Sequence, residues 1–179
     1  MTTNLYTSIG ALAFPLNPYY KTGKELVTVG AKFIVPGTGN IGDQYILAGP
    51  LSLDDRISRI YPAAYSSLTS AVANLGFYYV NTIPATAGVP AQANLVPVVS
   101  GGGNELWSAV SISSATLGQD MLVGKNSSLD NTQAIRDLLN IGSDHAPVGG
   151  IYLVLTLTTA NTAGGNIDLD VEIEEATTR

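Results

Sequence analysis

The sequence predicts an all-β domain: a β-sandwich of jelly-roll type with one short helix and an extended N-terminal arm. Three observations predict it. Residues 167–174 (Ile-Asp-Leu-Asp-Val-Glu-Ile-Glu) alternate strictly, with Ile167, Leu169, Val171 and Ile173 on one face and Asp168, Asp170, Glu172 and Glu174 on the other. That period of two is the mark of a half-buried strand. Several further β-rich runs are separated by Gly, Pro and Asn turn signals, and a single segment has a helical period. At 179 residues and 45% hydrophobic content, the chain can bury a core without disulfides.

Residues 1–24 read as an arm. They mix apolar residues with Pro15, Pro18, Tyr19 and Tyr20 and show neither period. Such a segment wraps its own domain or reaches a neighbour. Residues 25–179 read as one domain. Within it, residues 25–35 predict a strand, Pro36 to Gly42 a turn, and residues 43–49 a strand stopped by Gly49-Pro50. Residues 56–68 predict a strand around Pro62, and residues 75–82 one rich in β-formers. Residues 83–103 carry three prolines and end in Gly101-Gly102-Gly103, which reads as a long irregular insertion. Residues 105–114 alternate around Leu106, Ser108, Val110 and Ile112.

The helix is expected after Asp130, a capping residue with Gln133 three positions on. Ile135, Leu138 and Leu139 line one face and Gly142 stops it. Residues 151–158 predict an apolar strand. With 167–174 it is expected to form a hairpin across the polar stretch Thr159 to Asn166.

Charge is scarce. Charged residues make up 12% of the chain, against about 25% in an ordinary soluble domain. None occurs from Ile60 to Asn104, a stretch holding Tyr61, Tyr65, Phe77, Tyr78 and Tyr79. Aromatic enrichment with charge depletion marks interface cores, which points to a surface covered by neighbours. A polar but uncharged surface of Ser, Thr, Asn and Gly is the plainer alternative. Interface candidates are Phe14, Tyr19, Tyr20, Tyr65, Tyr78, Tyr79 and Trp107. Net charge is −6, with ten acidic and three basic residues from Ile60 onward. An acidic chain without a basic cluster argues against nucleic acid and against anionic membranes. No apolar run reaches the roughly 18 residues of a membrane span.

Candidate chemistry is thin. There is no cysteine, so no thiolate nucleophile or thiolate zinc site. Gly37-Thr38-Gly39-Asn40-Ile41-Gly42 matches the dinucleotide pattern, but a strand follows where the phosphate needs a helix N-terminus, so a Gly-rich hairpin turn is expected. Ser143-Asp144-His145 holds the residue types of a catalytic triad, yet adjacent residues cannot align as nucleophile, base and orienter. Same-face carboxylates of 168–174 stand about 6–7 Å apart, too far for one ion to bridge. They read as a solvated face that discourages edge-to-edge pairing. Asp54, Asp55 and Glu105 are scattered acids, and Trp107 with Tyr65, Tyr78 and Tyr79 could form a sugar-stacking platform or a core. No catalytic, cofactor or metal site is expected.

The run from Gly42 to Leu51, then Asp55-Arg56-Ile57-Ser58-Arg59-Ile60, Asn74-Leu75-Gly76-Phe77-Tyr78, and the terminal segments Ile151 to Thr156 and Gly165 to Val171, resemble small β-rich virion proteins of tailed bacteriophages, of the capsid decoration or cement type. The resemblance covers roughly residues 42–80 and 110–175; the arm and the insertion at 83–103 depart from the short forms. It implies a non-enzymatic protein on the head surface of the virion, assembled in the host cytoplasm. Its partners would be the major capsid protein and copies of itself, with a trimer favoured. The alternative is a carbohydrate- or host-receptor-binding β-sandwich of a fibre or tail.

Overall fold

The computed structural model describes residues 5–7, 25–35, 40–65, 71–83, 92–112, 122, 133–142, 147, 149–160 and 164–175. Among these residues nine strands and one short helix run in the order β1 (Leu5–Thr7), β2 (Glu25–Val35), β3 (Gln44–Leu51), β4 (Arg56–Tyr65), β5 (Val72–Ile83), β6 (Gln92–Pro97), β7 (Trp107–Ser111), α1 (Ile135–Leu139), β8 (Ile151–Leu157) and β9 (Gly165–Glu175). They form a two-sheet β-sandwich. The larger sheet has the order β1-β3-β8-β5-β6, with β7 also on β5, and the smaller has the order β2-β9-β4. All pairs are antiparallel except β1 with β3.

The core lies between the sheets. The small sheet contributes Val29, Ala31, Phe33, Ile57, Ile60, Leu169, Val171 and Ile173. The large sheet contributes Tyr45, Leu47, Leu75, Phe77, Trp107, Leu153 and Leu155. Phe33 and Tyr45 meet edge to face across the gap, with ring centroids 5.2 Å apart. Each fully buried Leu, Ile or Phe is worth about 1.5–3 kcal/mol, so this one cluster dominates stability. A smaller cluster of Ile46, Tyr78, Leu95 and Val154 lies on the other side of the large sheet.

The expected hairpin of the last two strands does not form. β8 pairs with β3 and β5, whereas β9 pairs with β2 and β4 in the opposite sheet. The reason is in their side chains. β8 is apolar on both faces, with Leu153, Val154 and Leu155 all buried, and such a strand belongs in the middle of a sheet covered on both sides. β9 has one polar face, which the small sheet turns outward. The Gly-rich run after β2 likewise joins two sheets and is no hairpin turn.

Other boundaries differ for local reasons. β3 runs through Gly49-Pro50 to Leu51. Its pairing with β8 shifts between Ala48 and Leu51, so Pro50 sits where no regular ladder bond is required. The stretch read as an irregular insertion contains β6, an edge strand on β5. Its flanking prolines mask its alternation in the sequence. In β7, Ala109 has φ 52°, its N–H donates to Asn74 Oδ1 at 2.8 Å, and the register slips between Ala73 and Leu75. This bulge puts Ser108 outside while Leu106, Trp107, Val110 and Ile112 are buried.

Helix α1 takes its cap from tertiary structure. Asp130 lies outside the described residues, and Ala134 occupies the N-cap without a side-chain bond. The first N–H groups, of Ile135 and Arg136, donate to the carbonyls of Asp55 and Leu53. Asn140, in the left-handed region, ends the helix before Gly142.

Candidate functional site

The nine strands divide by charge. None of the six strands of the large sheet contains Asp, Glu, Lys or Arg. The three strands of the small sheet carry Glu25, Lys32, Arg56, Arg59, Asp168, Asp170, Glu172, Glu174 and Glu175. Within the described strands, charge is therefore confined to the small sheet.

On the small sheet the carboxylate row occupies the central strand, so it guards no edge. It meets bases on both neighbours: Lys32 Nζ lies 3.7 Å from Asp168, Arg59 Nε 3.8 Å from Glu172, and Arg56 3.9 Å from Glu174. Tyr61 O–H donates to Glu172 Oε1 at 3.2 Å. The register sets these pairs, because Lys32 stands opposite Asp168, and Arg56 and Arg59 opposite Glu174 and Glu172. Such partly exposed pairs are each worth about 0.2–1 kcal/mol. Asp170 stands between Gly30 and Tyr61 and faces no base among the described residues. Desolvation, then the neighbouring charges of Asp168 and Glu172, raise its carboxyl above the usual range. Tyr61 is also raised, chiefly by desolvation and then by Glu172.

The scattered acids are structural. Asp43 is buried and accepts the Asn40 N–H at 3.0 Å, closing the turn into β3. Asp55 accepts the N–H and hydroxyl of Ser52, at 2.7 and 3.2 Å, and so closes the turn into β4. Asp54 pairs with Arg136 and ties α1 to that turn. Glu105 accepts the Phe77 N–H at 3.1 Å and the Gly103 N–H at 2.9 Å. It fills the gap where the ladder from β6 to β7 breaks, since Val98 and Leu106 bond to Phe77 and Leu75 on either side. The sequence offered no signal for that clasp beyond the neighbouring Gly101-Gly102-Gly103.

The aromatic candidates scatter. Trp107 is 0% exposed in the main core, and its indole N–H has no partner among the described residues. Tyr78 is buried in the smaller cluster, with its hydroxyl 3.1 Å from Thr156 Oγ1. Tyr79 is half-buried. Trp107 and Tyr78 therefore offer no open stacking platform. Phe14, Tyr19, Tyr20 and the Tyr65 side chain lie outside what is described, as does Ser143-Asp144-His145. Among the described residues, no group of three or more His, Asp or Glu could hold a metal ion.

No protein-family model and no curated protein matches the chain. A chain of a solved structure, the cyanophage Pam1 capsid asymmetric unit, aligns over 93% of this chain and 96% of its own length, at 11% identity and a TM-score of 0.45.

Proposed function

We propose that this protein is a non-enzymatic structural component of a phage virion, a decoration or cement protein that binds the major capsid shell from outside. The observation that carries the reading is that no strand of the large sheet contains a charged residue. A lone soluble domain keeps more charge on its surface, and depletion of charge is the compositional mark of a buried contact. The acids that might have served chemistry close turns and ladders instead. Function by buried area needs about 1,200–2,000 Å², which the charge-free side and the arm would share. On this reading the protein meets capsid subunits and sister copies through its uncharged side and turns the small sheet toward water.

The jelly-roll form belongs to the same proposal. Its support is that β2 and β3, β3 and β4, β4 and β5, and β8 and β9 each lie in opposite sheets.

Purified protein added to heads lacking it tests the reading. Saturable binding at hundreds of copies per head, with greater head stability, is expected. No binding, or a few copies at the neck or tail, would overturn it.

A further inference from the structure

The two edges of the small sheet differ in how they resist pairing. β4 carries Pro62, Arg56 and Arg59, and its register slips between Ile57 and Arg59 and between Pro62 and Ala64. Proline, charge and bulges are the usual protections of an edge strand. β2 has almost none of them. Its eleven residues pair with β9 without a register slip, it contains no proline, and Lys32 is the one charge between its ends. Among the described residues β9 is its only ladder partner, and no described strand pairs with its outer edge.

β2 also carries two of the exposed large apolar side chains, Leu26 at 56% and Ile34 at 77%. Both lie on its outward face, four residues either side of Gly30. That spacing is self-complementary. In an antiparallel pairing of two copies about a two-fold axis at Gly30, Leu26 of each copy stands opposite Ile34 of the other. Thr28 then faces Lys32, and Val29 faces Ala31. No like charges are opposed, inward residues stay inward, and the two exposed apolar side chains cover each other twice.

We propose that β2 is a homodimer interface, in which a second copy of this chain adds its β2 edge to edge and joins two three-stranded sheets into one. A C2 interface requires one patch to complement itself, and this strand does. Lys32 stays with Asp168 of its own chain. The contact goes beyond the virion reading and does not depend on it. It is also separate from the three-fold assembly that the resemblance implies.

The test uses the full chain and measures mass by sedimentation over a range of concentrations. The expected species contains an even number of 18.6 kDa chains. Ile34→Glu should halve that mass, and the double variant Leu26→Lys with Ile34→Glu should restore it, because each new charge faces its opposite across the axis. Leu26 already stands opposite Glu174 in its own sheet, so a lysine there suits the monomer too. The chain has no cysteine, so Gly30→Cys adds a unique thiol at the axis. Among the described residues a Cβ there meets only Asp170, at 3.4 Å, and antiparallel partners at about 4.5–5.5 Å between Cα atoms suit a disulfide. Mild oxidation should link Gly30→Cys into covalent dimers and leave Ile41→Cys, exposed elsewhere, unlinked. A monomer at every concentration, a mass unmoved by Ile34→Glu (a trimer included), or equal linking at positions 30 and 41 would each overturn the proposal. The readout uses purified protein alone, so it stands apart from the result with heads.

Discussion

The carboxylate of Glu105 accepts the backbone N–H of Phe77 at 3.1 Å, in place of the strand that leaves β5 there. Its other oxygen holds the Gly103 N–H of the departing loop. One side chain thus seals both ends of a broken ladder. Glu105→Ala leaves two part-buried donors without their acceptor and is expected to cost about 2 kcal/mol, as for lost hydrogen bonds to a charged group. Thermal unfolding should show Tm lowered by roughly 4–8 °C. Glu105→Gln keeps one acceptor and should lose less. Equal Tm values for Ala, Gln and the natural residue would contradict the clasp.

The same loop closes only because two glycines let it approach. A Cβ at Gly76 would overlap the Glu105 carboxylate and the Gly103 backbone. Gly103 has φ 93° and lies against the Tyr78 ring. Gly76→Ala should therefore cost more than the roughly 1 kcal/mol range of ordinary strand preferences, because backbone must move. Comparing denaturant midpoints of Gly76→Ala and Gly101→Ala separates crowding from backbone conformation. Gly101 has φ 78°, but a Cβ there would meet nothing within 4 Å among the described residues, so its variant should show the conformational cost alone.

Trp107 is a core residue, and its truncation should read as instability. Trp107→Ala is expected to cost about 3–5 kcal/mol, seen as lowered Tm and a lost near-ultraviolet signal. Any loss of binding in that variant reports a damaged sandwich. A Trp107→Ala protein of natural stability that loses a glycan signal would restore the stacking platform.

Asp170 should make the small sheet more stable when neutral. Its carboxyl is raised in the folded state, so the folded form binds the proton more tightly than the unfolded one. Its ionisation therefore costs stability as pH rises from the ordinary 3.8 through the raised value, and the full cost is present above it. Asp170→Asn removes that cost. At neutral pH the variant is expected to gain about 0.5 kcal/mol, the scale of a cross-strand pair, and the gain should vanish below pH 3.8. A gain independent of pH would argue against repulsion by Asp168 and Glu172.

Deleting residues 1–20 removes β1, whose three residues pair with β3, together with most of the arm. The domain should remain β-rich by circular dichroism at a cost of about 2 kcal/mol for a short ladder. On the proposed function, the truncated protein should no longer occupy heads. Unchanged occupancy would show that the arm takes no part.

Much of the fold was legible in the residues themselves. β2 matches the residues 25–35 read from its β-branched run, and β8 and β9 lie within two residues of their expected ends, because each strand's side-chain pattern is local. The alternation of β9 also assigned its faces: Leu169, Val171 and Ile173 are buried, and the carboxylates are not. The scarcity of charge was plain too, but not its partition between sheets. Pairing is non-local, and chain adjacency pointed the wrong way at β8 and β9. The same holds for the site. Only the register between distant strands set Lys32 against Asp168 and left Asp170 without a base among the described residues. Only the break opposite Gly76 gave Glu105 its role, and only the bulge at Ala109 left Ser108 outside while Trp107 stayed in the core. The sequence by itself determined which segments are strands and which of their residues avoid water, because both follow from short-range period and hydrophobicity. The tertiary structure decided which strands meet, and with that the meaning of every charged side chain, because an ion pair depends on distances that a linear order does not contain.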